Sequence, residues 1–185
     1  MGILDGRFIT EDGGMSVVYK PGDALESMLV GEWLAANGIG GYASSTPAGL
    51  NTRKYHGLLV AAMAPPVRRM VILSRVEETV RVGGRAFALA TNHYPGTVHP
   101  RGFEWLRGFE AHPFPHWMYR VERCEVRKCL RLVRGLNAVV LSYTLLDSEA
   151  AVELELRPLL ALRAIHGLTY QWGGDLRPLA LRPGH

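Results

Sequence analysis

Residues 32–60, EWLAANGIGGYASSTPAGLNTRKYHGLLV, hold the side chains best suited to chemistry in this chain. A glycine-dense stretch, the aromatics Trp33, Tyr42 and Tyr55, and the polar cluster Arg53, Lys54 and His56 share one short window. Glycines let the backbone turn tightly and the turns carry polar groups, as in a binding or catalytic loop held out by a rigid scaffold. Read as an extended segment, residues 51–56 set Arg53 and Tyr55 on one side and Lys54 and His56 on the other. Arg53 can fork two hydrogen bonds onto a carboxylate or onto vicinal hydroxyls. The aromatic rings can stack on sugars or fill the core. His56, at the mouth of the apolar run 57–62, suits a structural role or a polar site role.

Other chemistries fare worse. Gly38, Gly40 and Gly41, followed by Ala43, approximate the G-x-G-x-x-A dinucleotide fingerprint. That motif needs a strand before it and a helix N-terminus after it. Here Pro47 follows within a few residues and opposes a continuing helix, so the glycines are expected to permit positive φ and close backbone approach instead. His93, His99, His112, His116 and His166 lack ligand spacing, and no metal is expected. Glu153 and Glu155 share a strand face and could resemble a glycosidase pair, but a solvated face accounts for them. Glu77 and Glu78 must point to opposite faces, so one of them can be buried and paired. No complete catalytic constellation and no cofactor motif emerges.

The elements that must position these groups are strands. Val76, Val80 and Val82 alternate with Glu77, Thr79 and Arg81, and Gly83-Gly84 then marks a two-residue hairpin into residues 85–89. Cys124, Val126, Leu130 and Leu132 face away from Glu125, Arg127 and Arg131. Val139, Leu141, Tyr143 and Leu145 form the next apolar row, Asp147-Ser148 turns, and Val152, Leu154 and Leu156 form another. Pro158 ends that strand or confines it to an edge. Period two broken by turn residues roughly every 8 to 12 positions is an all-β signature. Half-buried antiparallel strands must pack on a second sheet, so the expected fold is a large antiparallel β-sandwich of about eight to ten strands. Only residues 23–34 hint at helix, and residues 92–115 read as long loops around one strand at 102–110. The division expected is an N-terminal extension (1–24), a sandwich (25–170) complete by about residue 160, and an irregular tail (171–185).

Composition agrees with one soluble domain. The chain has 185 residues, 48% of them hydrophobic, and a net charge of +4 from 21 Lys+Arg against 17 Asp+Glu. Bases and acids interleave, as in VERCEVRKCLR, which argues against a nucleic-acid surface. No run approaches the roughly 20 apolar residues of a membrane helix, and the N-terminus lacks the apolar core of a secretory signal. A cytoplasmic protein is the expectation. Cys124 and Cys129, five residues apart on one strand, point to opposite faces and cannot bridge.

The run EWLAANGIGGYASSTPAGLNTRKYHGLLVAA, continued by PPVRRMVILSRVEETV, resembles the N-terminal domain of bacterial and archaeal glycogen debranching enzymes of the amylo-α-1,6-glucosidase type. TNHYPGTVHPRGFEWLRGFE, HPFPHWMY and ELRPLLALRAIHGLT extend the resemblance over roughly residues 25–170. It implies a β-sandwich of the glucoamylase-type N-terminal kind (a supersandwich) that precedes an (α/α)-barrel. The hydrolytic carboxylates of the family belong to that barrel, so no catalytic residue is expected here. The implied partners are α-glucans (glycogen and maltooligosaccharides) and the barrel. Trp33, Asn37, Tyr42, Arg53, Tyr55 and His56 become the candidate substrate-binding residues, the aromatics offering ring faces and Arg53 and Asn37 hydrogen bonds to hydroxyls. Two departures stand out. Where the family reads R-D-Y-H this chain has Arg163, Ala164, Ile165 and His166, and the likeness fades after Tyr170. A free-standing carbohydrate-binding module, or an interaction protein that has lost sugar contact, are the alternatives.

Overall fold

A computed structural model describes residues 3–4, 7–9 and 15–169. Its seven-stranded sheet runs β1 (Ile3–Leu4), β2 (Arg7–Ile9), β3 (Met15–Val18), β11 (Leu106–Glu110), β12 (His116–Val121), β13 (Cys124–Leu132) and β14 (Val139–Asp147). The six-stranded sheet runs β15 (Val152–Ala164), β7 (Val67–Val82), β6 (Gly57–Ala64), β5 (Tyr42–Ser45) and β4 (Trp33–Ala36), with β8 (Arg85–Ala88) added along part of β7. β9 (Thr91–Tyr94) and β10 (Thr97–Arg101) make a separate hairpin. All pairings are antiparallel.

The architecture is the expected all-β sandwich, built from more and shorter strands than the periodicity suggested. Three local readings change. The helical hint at 23–34 becomes a five-residue helix, α1 (Leu25–Leu29), after which Trp33 and Leu34 already lie in β4. Residues 92–115 hold β9, β10 and a 3-10 turn, Gly102–Trp105, before β11, rather than loops around a single strand. Prolines and a single turn of period hide such short strands. The last described strand runs on to Ala164, beyond the expected completion near 160, and passes through Pro158 as a sheet edge, where the missing N–H costs no ladder bond. β1 to β3 lie within residues 1–24, and β3 pairs with β11. Residues 171–185 lie outside the described residues.

The two sheets bury Trp33, Val80, Leu106, Phe109, Trp117, Val121, Cys124 and Leu130 in one core. Trp117 meets Trp33 edge-on, with centroids 5.4 Å apart, and Phe109 at 5.2 Å. Each indole N–H finds a carbonyl, Trp33 donating to Thr46 O and Trp117 to Pro47 O, so both tryptophans pin the β5–β6 connection from below. At the centre, Glu78 of β7 accepts hydrogen bonds from the ammonium of Lys128 on β13 and from the Tyr143 hydroxyl of β14, the latter at 2.8 Å. Burial first, and then the Glu78 carboxylate, holds the Tyr143 and Tyr119 hydroxyls well above the ordinary tyrosine range. Cys124 is buried and Cys129 half-buried, both as free thiols. Among the described residues no helix is long and apolar enough to cross a membrane.

Candidate functional site

The window that opens the sequence analysis folds as strand β4, a glycine turn, strand β5, and a long connection into β6. Asn37, fully buried, organises the turn. Its Oδ1 accepts from the N–H groups of Ile39 and Gly41, and its Nδ2 donates to Leu136 O and Asn137 Oδ1. Gly40 has φ +96°, and a Cβ there would sit 2.5 Å from Pro66 O; at Gly41 it would meet Asn37 Nδ2 and Val60 O. The glycines are therefore there for backbone geometry and close approach. They form no phosphate cradle.

Residues 51–56 are not extended. The His56 N–H donates to Arg53 O at 3.1 Å and closes a tight turn, while Asn51, bonded to Ser45 Oγ and Ser74 O, fixes the loop to β5 and β7. The expected two-sided arrangement is thus replaced. Arg53 and His56 converge on one carboxylate, Glu32: Arg53 Nε lies 2.6 Å from Glu32 Oε1, and His56 Nε2 lies 3.3 Å from the same oxygen. The His56 Nδ1 accepts the Thr52 N–H at 3.2 Å, so the neutral ring carries its proton on Nε2, facing Glu32. That N–H is not aligned for a full hydrogen bond, and the contact with Glu32 is chiefly electrostatic. Burial lowers the His56 pKa, Glu32 opposes the shift, and Arg53 adds to it. Near neutral pH His56 is an uncharged, buried anchor under an exposed Arg53.

Tyr55 turns the other way, toward the end of β15. Its hydroxyl lies 3.4 Å from His166 Nδ1, with the rings edge-to-face at 5.8 Å and 82°. Lys54 Nζ sits 5.2 Å from the Tyr55 ring centroid and donates to His166 O. Arg163 donates to Lys54 O and to Gly167 O, tying the loop to the end of β15. Tyr42 donates its hydroxyl proton to Tyr55 O at 2.9 Å. Burial raises the Tyr42 pKa, partly offset by Arg69, whose Nε donates to Gly40 O. Val60, Val71 and Ile165 make a small second apolar cluster against which Tyr42 packs.

The candidate residues therefore separate into two tiers. Trp33 (2% exposed), Asn37 and His56 are buried and support the loop; Arg53 and Tyr55 are exposed, with Tyr42 half-buried beside them. The sequence reading passed over Glu32, although it is the only acid between Glu26 and Glu77 in a basic stretch, which is the signal that could have found it. Arg163 and His166 entered the sequence reading as the ends of a family pattern that has lost its acid at Ala164, and His166 also among the histidines without ligand spacing; the fold brings both to the loop, with Ala164 exposed between them. Glu78 and Lys128 interrupt apolar rows at inward positions, and the rows were read without them.

The wall is cationic and hydrogen-bond-rich: Arg53 pairs with the Glu32 carboxylate, while Lys54, Arg69 and Arg163 donate to backbone carbonyls around the Tyr55 ring and the glycine turn. Comparison with known families finds that the family described as glycogen debranching enzyme N terminal matches residues 31–175. No curated protein and no solved structure matches the chain significantly.

Proposed function

Because the chain belongs to the glycogen debranching enzyme N-terminal family, we propose that it is the sandwich domain of a glycoside hydrolase acting on α-1,6 branch linkages of glycogen. In this reading it scaffolds an (α/α) catalytic barrel and lends the wall around Arg53 and Tyr55 to the glucan cleft. The family match over most of the chain carries the proposal. The wall supports it: Arg53 offers a guanidinium held by Glu32, Lys54 and Arg163 offer further donors, and Tyr55 offers an aromatic edge at 38% exposure. Guanidinium forks and aromatic faces suit a hydroxyl-rich, ring-shaped ligand. Trp33, Asn37 and His56 act from behind, holding the loop. A cytoplasmic setting belongs to the same proposal and agrees with two unbridged cysteines.

A free-standing carbohydrate-binding module would need coplanar exposed rings. At this wall Tyr55 is paired edge-on with His166 and Trp33 is buried, which favours a cleft wall over a platform. The test is an assay of the purified chain on a phosphorylase limit dextrin, with and without its catalytic barrel. No glucose is released by the chain alone, and release appears with the barrel. Glucose release by the chain alone would overturn the division of labour.

A further inference from the structure

Both sheets end on the same flank in long strands, β14 and β15, which follow each other in the chain and have no neighbour on their outer edges among the described residues. A free edge presents unpaired N–H and C=O groups and is a template for another strand. The two edges differ in how they are protected. β15 carries Glu153, Glu155, Arg157 and Arg163, contains Pro158, and shifts register twice against β7. Charges, proline and bulges are the usual devices that keep an edge solitary. β14 carries no charge and no proline from Val139 to Leu146; its one register shift against β13 falls at its far end, between Leu145 and Asp147, beside its sole charge. Its exposed apolar side chains are Val140 (51%), Leu145 (49%) and Leu146 (43%). The other sheet ends are short: β1 has two residues and β4 has four.

We propose that β14 is a pairing edge through which two copies of this chain associate, antiparallel and about a twofold axis. Such an axis sets each edge residue against the same strand of its partner, so a charge near the centre would face its own copy. The neutral run of β14 carries no such penalty, whereas β15 carries four charges along its edge and lacks one N–H at Pro158. Pairing would extend the seven-stranded sheet across the axis. A nine-residue edge is small against a standard interface of about 1,600 Å². The dimer is therefore weak, with a dissociation constant of roughly 10 to 100 μM.

The test is sedimentation of the full 185-residue chain from about 1 μM to about 1 mM, with hydrogen exchange at both ends of the range. The expected result is a monomer passing to a dimer, with β14 amides alone slowing as concentration rises. Val140→Lys with Leu146→Lys, both at exposed positions, weakens dimerisation at least about tenfold, and Glu153→Lys on β15 leaves it unchanged. A monomer at every concentration overturns the proposal. So does an open-ended polymer, a dimer indifferent to the β14 lysines, or outward-facing β14 amides, those not bonded to β13, already slow in the dilute monomer.

Discussion

His56 is held neutral by opposing forces, and each can be moved separately. Burial and Arg53 push its pKa below the ordinary histidine value, while Glu32 pulls it back. Titration of the His56 ring by NMR is expected to give a pKa below about 6.5. Arg53→Gln raises it by removing a cation, and Glu32→Gln lowers it further by removing the anion. Because the folded pKa is the lower one, the unfolded chain binds more protons below about pH 6.5. His56 therefore leaves stability intact above that pH and subtracts from it as pH falls toward the folded value. A pKa unmoved by either substitution would show that the Glu32 cluster does not form in solution. The residue types of this cluster were legible in the sequence, but its pairing was not. An extended reading of residues 51–56 puts Arg53 and His56 on opposite sides; the turn closed by His56 N–H and Arg53 O brings them to one carboxylate.

At the scale of elements, alternation revealed β7 and β13 because each buries one face over many residues, and β14 and β15 because each carries an apolar row that is partly buried. Gly83-Gly84 marked the β7–β8 hairpin for the same local reason, a turn chemistry that depends on neighbours alone. β9 and β10, at four and five residues, offer too little period to be read. That Glu77 or Glu78 can be buried and paired was legible from their adjacency, but which of the two it is, and Lys128 as the partner, emerge only when the two sheets pack. The pair joins β7 to β13 and so clamps the sandwich. Lys128→Met leaves Glu78 buried without its cation and is expected to cost about 3–5 kcal/mol in urea unfolding. Glu78→Leu combined with Lys128→Met removes both charges and should recover most of that loss. If the double variant is as unstable as the single one, burial of an unpaired charge is not the cause.

For the whole molecule, the proposed functional wall lies where the β5–β6 connection meets the end of β15, joined by Arg163, Lys54, Tyr55 and His166. Residues more than a hundred positions apart meet there, which is why the sequence could suggest the loop but not the wall. In the proposed reading the exposed members are the ones that meet a glucan, and the buried members hold them in place. The most direct test of this account is steady-state turnover of limit dextrin by an enzyme joining this sandwich to its (α/α) barrel, with Tyr55→Ala and Arg53→Gln compared against Leu34→Ser, a control at an exposed position of β4. The account predicts that KM rises about tenfold in the first two, with kcat changed much less, as expected for lost binding outside the reacting bond. A KM unchanged in both, equal to that of the control, would contradict it.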